Sequence, residues 1–167
     1  GIEGKVVSAI SQPDMYHSYR DIGFGYNSSD DVLYIRLPSG RDLCYHQPRL
    51  TRIEDRRRLP VYQISYMGVN NDPGKPKIWM RIVTWGSRIF ENIVQAVCRD
   101  IEAAAMLKLE AAGYPVVLHT HDEPCSEVPH GFGSIEEYER IMMTPESWYA
   151  DWPVRASGGW RGLRFRK

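Results

Sequence analysis

The chain lacks any cysteine framework. Its three cysteines, Cys44, Cys98 and Cys125, are odd in number and none has CxxC spacing. A disulfide scaffold or a zinc ribbon is therefore not expected, and a reducing compartment fits. It also lacks net charge, with 21 Lys and Arg against 21 Asp and Glu. Bulk charge thus gives no argument for nucleic-acid binding, and any such argument must rest on local clusters. No apolar run approaches the roughly 20 residues of a membrane-spanning helix, so no membrane partner is expected. The opening GIEGKVVSAI has no basic stretch leading into an apolar core, so no secretory signal is read and a cytoplasmic location is expected. No internal repeat and no low-complexity tract occurs. The first residue is Gly, as in a chain that is processed, tagged or cut from something longer. What is present is 167 residues with 43% hydrophobics, 25% charged residues and a mean hydropathy of -0.44. That is the composition of a soluble globular chain with enough apolar content for a core.

Residues 1–31 show no sustained period, and GFGYNSSDD (residues 23–31) is turn chemistry. This stretch reads as an irregular lead-in with one short helix near residues 15–20. Two hairpin-like units follow. VLYIRL (residues 32–37) is rich in β-branched and aromatic residues, turns through Pro-Ser-Gly, and returns as RDLCYH (residues 41–46). RLTRIEDRRRLP (residues 49–60) reads as an Arg-rich connector. Residues 62–69 and 77–84 then form an antiparallel pair across the turn-dense NNDPGKP.

The clearest periodicity predicts a helix from about Ser87 to Ala112. Ile89, Ile93, Val97, Ile101, Ala104 and Leu107 keep the 3–4 spacing of one apolar face. Ser87 is the expected N-cap, and Glu91 is placed in the first turn, where a negative charge suits the helix dipole. Gly113 supplies a left-handed stop and Pro115 prevents continuation. PVVLHT (residues 115–120) reads as a short buried strand, and Glu127–Val128 end its partner. Ser134, followed three residues later by Glu137, fits a capping box that opens a second helix ending near Met143. The fold class expected is α+β, an antiparallel sheet with one long and one short helix.

Titratable groups crowd one strand end, at His119, His121, Asp122 and Glu123. An unpaired carboxylate is expensive to bury after an apolar run, so these residues need a reason. A plain polar turn is one. A zinc site through His119 and His121 is another, but it lacks a third ligand at zinc spacing. A magnesium site, with Asp122 presenting hard carboxylate oxygen at a hairpin mouth, is the third. Two basic clusters also stand out. Arg49, Arg52, Arg56, Arg57 and Arg58 make either a solvated loop or a contact with duplex phosphate. Arg161, Arg164, Arg166 and Lys167 form a basic tail with Trp160 and Phe165. Trp148 and Trp152 with Trp160 read as packing anchors rather than stacking platforms. Met106, Met142 and Met143 read as packing residues.

The long helix with ENIVQAVCRDI, its continuation AMLKLEAAGYPVVLHTHDE, and the FGSIEEYERIM and GWRGLRFRK endings resemble the C-terminal palm part of family A DNA polymerases, the bacteriophage members above all. The resemblance begins near LPSGRDLCY and ISYMGVN and covers residues 37–167. It implies that residues 32–167 are part of a palm subdomain, leaving 1–31 as a lead-in or association segment. It implies that His121, Asp122 and Glu123 are the family's motif C. Asp122 then holds catalytic Mg2+, Glu123 is a nearby and less essential acid, and His121 lies near the primer terminus. Gln95 matches a helix glutamine that reaches the minor groove, where every base pair offers an N3 or O2 acceptor. Arg88, two turns earlier and on a neighbouring face, is placed to touch primer–template DNA. Deoxynucleoside triphosphates and primer–template DNA are the implied partners. For a phage-encoded chain the implied location is the host cytoplasm.

The sequence departs from that family at Glu91, where cellular members carry Asn, so no role is assigned to Asn92. Pro124 after the HDE run removes a backbone donor and puts the hairpin's regularity in doubt. A larger departure is that neither a second metal-binding aspartate in a DYSxxExR-like strand nor a basic fingers helix occurs. One carboxylate cannot clamp two metal ions. The two-magnesium site would therefore be completed by residues outside this chain, and the chain alone is expected not to polymerise. It would be an excised fragment or one subunit of a split enzyme. The alternatives are a non-catalytic nucleic-acid-binding or assembly module, and a self-contained magnesium nuclease, for which no second carboxylate cluster is present.

Overall fold

The computed structural model describes residues 1–70, 73–74 and 76–163. The chain forms two compact units, residues 1–97 and 98–167, and the division falls inside the long helix.

The first unit contains helix α1 (Ile2–Ser11) and six strands: β1 (Tyr16–Tyr19), β2 (Ile22–Asn27), β3 (Val32–Arg36), β4 (Asp42–Glu54), β5 (Pro60–Val69) and β6 (Trp79–Thr84). All pair antiparallel in chain order, as a meander. The first half of α2 (Gly86–Ala111) completes it. Alternation decides the sheet's faces. Phe24 pairs with Ile35 and Leu33 with Tyr45, and all four are buried on one face. Val6 and Ala9 of α1, with Ile89, Ile93 and Val97 of α2, are the buried helix residues of this core. Two hydrogen bonds tie α2 to β4 and its turn. Asn92 Nδ2 donates to the Tyr45 hydroxyl at 3.1 Å, and an Arg41 guanidinium nitrogen donates to Ala96 O at 3.0 Å.

The second unit holds the rest of α2, the hairpin β7 (Val116–Thr120) and β8 (Glu123–Ser126), helix α3 (Ile135–Met143) and a 3-10 turn, Ser147–Tyr149. Ala105, Leu109, Tyr114 and Tyr149 are its buried apolar residues. Tyr114 meets Phe132 and Tyr138 edge-on at 5.0 and 5.2 Å, a preferred aromatic geometry. Lys108 Nζ donates to the Tyr149 hydroxyl at 3.2 Å and pairs with Glu146 at 2.9 Å.

The architecture is α+β with an antiparallel sheet, as the sequence indicates, but the described residues form three α-helices rather than two. Residues 1–31 are not an irregular lead-in. They form α1, β1 and β2, and the segment expected to be a helix near residues 15–20 is strand β1 and its turn. The Arg-rich stretch 49–60 is no connector either, because β4 runs on to Glu54 and pairs with β5 as far as Pro60. The long helix starts at Gly86, so Ser87 lies within it, and no acid stands in its first turn. Glu3 of α1 supplies the missing acceptor, its Oε2 taking the Gly86 N–H at 3.1 Å. Past Val97 the buried face follows Ala105 and Leu109, and Leu107 is 72% exposed. The C-terminal stop is as expected. Gly113 has φ 87, the Tyr114 N–H reaches Leu109 O at 2.9 Å and the Gly113 N–H reaches Glu110 O at 3.1 Å, which together make a Schellman motif. Trp148 packs edge-on against Tyr149 and Trp152, the anchoring role read for it. Arg164, Phe165, Arg166 and Lys167 lie outside the described residues, as does part of NNDPGKP.

Candidate functional site

In the second unit, the Schellman stop hands the chain from α2 to β7 in three residues, Gly113, Tyr114 and Pro115. The hairpin is held from both helices. The Val116 N–H donates to Glu110 Oε1 of α2 at 2.6 Å, and the Tyr138 hydroxyl of α3 donates to Pro124 O at 3.2 Å. Ser126 Oγ donates to Tyr114 O at 3.2 Å and lies 3.0 Å from the Tyr138 hydroxyl. Sequence reasoning missed Glu110 and Tyr138. Their only signal is position, one turn before the Gly stop and on one face of a short amphipathic helix.

The tip is a two-residue loop. Thr120 pairs with Glu123, which leaves His121 and Asp122 at the turn. His121 has φ 55, a left-handed conformation that costs a residue with a Cβ about 1–2 kcal/mol. His121, Asp122 and Glu123 are all exposed. Among the described residues, neither carboxylate has a hydrogen-bond or ion-pair partner, so both present free oxygens to solvent. The strand leading there is not buried as expected, since Val117 is 59% and Leu118 45% exposed. Pro124 does not disturb the ladder, for it pairs with His119 while the irregularity falls between Val116 and Leu118. In a two-stranded ribbon each strand is an edge, where proline is tolerated.

His119 and His121 do not sit in a common alternating strand, because His121 has left it for the turn. His119 Nδ1 lies 3.5 Å from Glu102 Oε1 of α2 instead. Among the described residues, no group of three or more His, Cys, Asp or Glu is placed to hold a metal ion. The hard oxygens of Asp122 and Glu123 suit Mg2+ as part of a donor set, not as a whole one.

In the first unit, α2 carries Arg88, Glu91 and Gln95 on its exposed side. Seven residues turn an α-helix to within about 20° of its start, so Arg88 shares a stripe with Gln95 rather than lying on a neighbouring face. Gln95 Nε2 donates to Glu91 Oε1 at 3.3 Å, and the Arg88 guanidinium lies 5.5 Å from the Trp85 ring centroid. Trp85, Ser87, Arg88, Glu91 and Asn92 line a cleft of about 390 Å³. Asn92 belongs mainly to the packing, through its bond to Tyr45.

Over 157 residues the chain is 35% identical to a protein described as DNA polymerase, from Bacillus phage SP02. The matched region is 94% of this chain and 23% of that protein, so the chain spans about a quarter of the relative's length. No family model matches the chain. No solved structure matches it.

Proposed function

We propose that this chain is part of a DNA-directed DNA polymerase of the family A type, contributing the motif C hairpin of a palm and part of the primer–template grip. The observation that carries the reading is the identity to a phage DNA polymerase along nearly the whole chain. The hairpin supports it, because two acids with free oxygens project at the turn of a hairpin that is held from two helices.

In this reading Asp122 holds Mg2+ together with carboxylates from outside the chain, and Glu123 is an auxiliary acid. When bound, the metal pair lowers the pKa of the primer 3′-hydroxyl and offsets charge on the triphosphate. The chain's own residues position. His121, fixed in a left-handed turn, stands beside Asp122 toward the primer end. Gln95 has two amide hydrogens, so one can stay with Glu91 while the other tests the minor-groove acceptor common to all base pairs. Arg88, on the same stripe, supplies a phosphate contact. Activity requires the segments carrying the second metal-binding aspartate and the fingers.

The test is complementation. Primer extension is expected from the chain plus the remaining polymerase segment, and none from the chain by itself. In the complemented enzyme, Asp122→Ala should cut extension by several orders of magnitude and Glu123→Ala by much less, in line with the roughly 10²–10³-fold or larger losses when transition-state charge stabilisation is removed. Equal and mild losses from both would sink the metal role of Asp122.

A further inference from the structure

Strand β3 accompanies β4 only to the Val32–His46 pair, and β6 accompanies β5 only as far as Ile64. Between Thr51–Gln63 and Glu54–Pro60 the β4–β5 hairpin therefore continues as a bare two-stranded arm, about 14 Å of ribbon at the usual rise per residue. Its tip is Asp55 to Leu59. The Asp55 N–H bonds Leu59 O at 2.9 Å and the Arg58 N–H bonds Asp55 O at 3.0 Å. Arg58 sits at φ 59.

The β3–β4 turn has the same wiring and serves as an internal comparison. There the Leu37 N–H bonds Arg41 O at 2.8 Å, the Gly40 N–H bonds Leu37 O at 2.9 Å, and the left-handed position is glycine, Gly40, at φ 87. Such three-residue hairpins want glycine there, since a Cβ is penalised. The arm carries arginine in that slot, preceded by two more. Its loop is organised without them, because Asp55 Oδ1 accepts the N–H groups of Arg57 and Leu59, both at 2.8 Å. That also engages one oxygen of the Asp55 carboxylate. Arg52, Arg56, Arg57 and Arg58 are exposed, and their guanidinium groups have no hydrogen-bond or ion-pair partner among the described residues. Arg49 differs, since Asp31 takes its guanidinium at 2.9 and 2.8 Å, so it belongs to the root of the arm.

We infer that this arm grips duplex DNA, with Arg56, Arg57 and Arg58 at its tip bound to backbone phosphates. A two-stranded ribbon is narrow enough to lie in a major groove, and adjacent guanidiniums match successive phosphates in charge and hydrogen-bond geometry. A strained backbone slot filled by a charged residue, where the neighbouring turn uses glycine, marks a side chain kept for what it touches. The inference rests on the reading that the chain works on DNA. Its readout is binding alone, so failed complementation with an intact grip would sink the polymerase reading and leave the arm standing.

The test uses the full chain and a fluorescein-labelled duplex of about 20 base pairs, with anisotropy followed from about 50 to 200 mM salt. The variant Arg56→Gln, Arg57→Gln, Arg58→Gly should fold at least as well, because glycine suits the turn. Its affinity should fall roughly tenfold or more, and its log Kd against log salt slope should become shallower by about 0.9 for each phosphate the arm no longer neutralises. The single change Arg58→Gly should raise the melting temperature while weakening binding, a split that a merely structural arginine would not give. Unchanged affinity and slope in the triple variant would overturn the inference. So would an equal loss from Arg155→Gln, an exposed arginine far along the chain, because the effect would then be generic charge.

Discussion

Asp31 shows how single side chains root that arm. Its carboxylate accepts two guanidinium hydrogen bonds from Arg49 and one from the Tyr26 hydroxyl at 2.8 Å, while its carbonyl takes the Gln47 N–H at 2.7 Å. These contacts bracket the bulge between His46 and Arg49, where β4 leaves β3. The Arg49 hydrogen bonds hold the Asp31 carboxyl at about 2, below its ordinary 3.8, against the opposing effect of burial. A carboxyl depressed in the folded state adds stability above its unfolded pKa and loses it as pH falls through the folded one. The contribution should thus be complete above about pH 4 and fade toward pH 2. Acid unfolding followed by circular dichroism should show this fall in wild type and a smaller one in Asp31→Asn. The half-exposed pair is screened by salt, so the difference should be modest and shrink at high ionic strength. An identical acid profile in the variant would show that the pair contributes nothing. None of this was legible in the sequence, where Asp31 looks like one of several turn acids. The exposed turn position of Asp122 was legible, because acids directly after VVL have no cheap place inside a fold.

At the scale of elements, the long helix could be read because its own chain carries both its period and its stop. Strands β1 and β2 could not. YHSY and IGFGYN offer no alternating β-branched run, and only Gly23 and Phe24 are buried in β2. Gly23 lacks a side chain for a reason found only in three dimensions, since a Cβ there would overlap the Tyr16 ring. The outer half of β4 was missed on different grounds. A strand paired on one side and open on both faces needs no apolar alternation, so Arg49, Thr51, Arg52 and Glu54 can stand along it. The end of α2 sets where the acidic hairpin begins, so its stop is a functional element. Gly113→Ala forces a Cβ into the left-handed region and to 3.2 Å from Phe132. It should destabilise by about 1–2 kcal/mol in urea unfolding. Ser134→Ala, which removes the 3.1 Å cap on the Glu137 N–H, should cost about 1 kcal/mol. That capping box is only half formed, because Glu137 Oε2 accepts the Tyr114 hydroxyl at 2.6 Å instead of reaching back to the cap. A stability unchanged by Gly113→Ala would mean that the helix end can relax without its glycine.

Across the whole molecule, apolar side chains remain on the surface in groups that the composition could not locate. Trp79, Met80 and Val83 of the edge strand β6 are 56%, 40% and 44% exposed, and the hairpin adds Val117 and Leu118. No described helix is long and apolar enough to cross a membrane, so these residues do not mark a helical span. The local sequence pattern located the hairpin but not its exposure. Whether a strand is covered depends on what packs against it, and periodicity carries no record of that. A two-stranded ribbon with exposed faces is marginal by itself, and here its contacts with helices reach only as far as the His119–Pro124 pair, short of the tip. The amides of β7 and β8 near His121 and Asp122 should therefore exchange with solvent far faster than those of β3, which is paired on both sides and buried at Leu33 and Ile35. In the proposed polymerase, adding the complementing segment should slow exchange at 118–123 while leaving β3 unchanged. Native-state hydrogen exchange with and without that segment decides the matter. Protection of the tip equal to that of β3 in the chain alone would mean that the acids already sit in a finished, rigid site, and the need for outside residues would lose its physical basis.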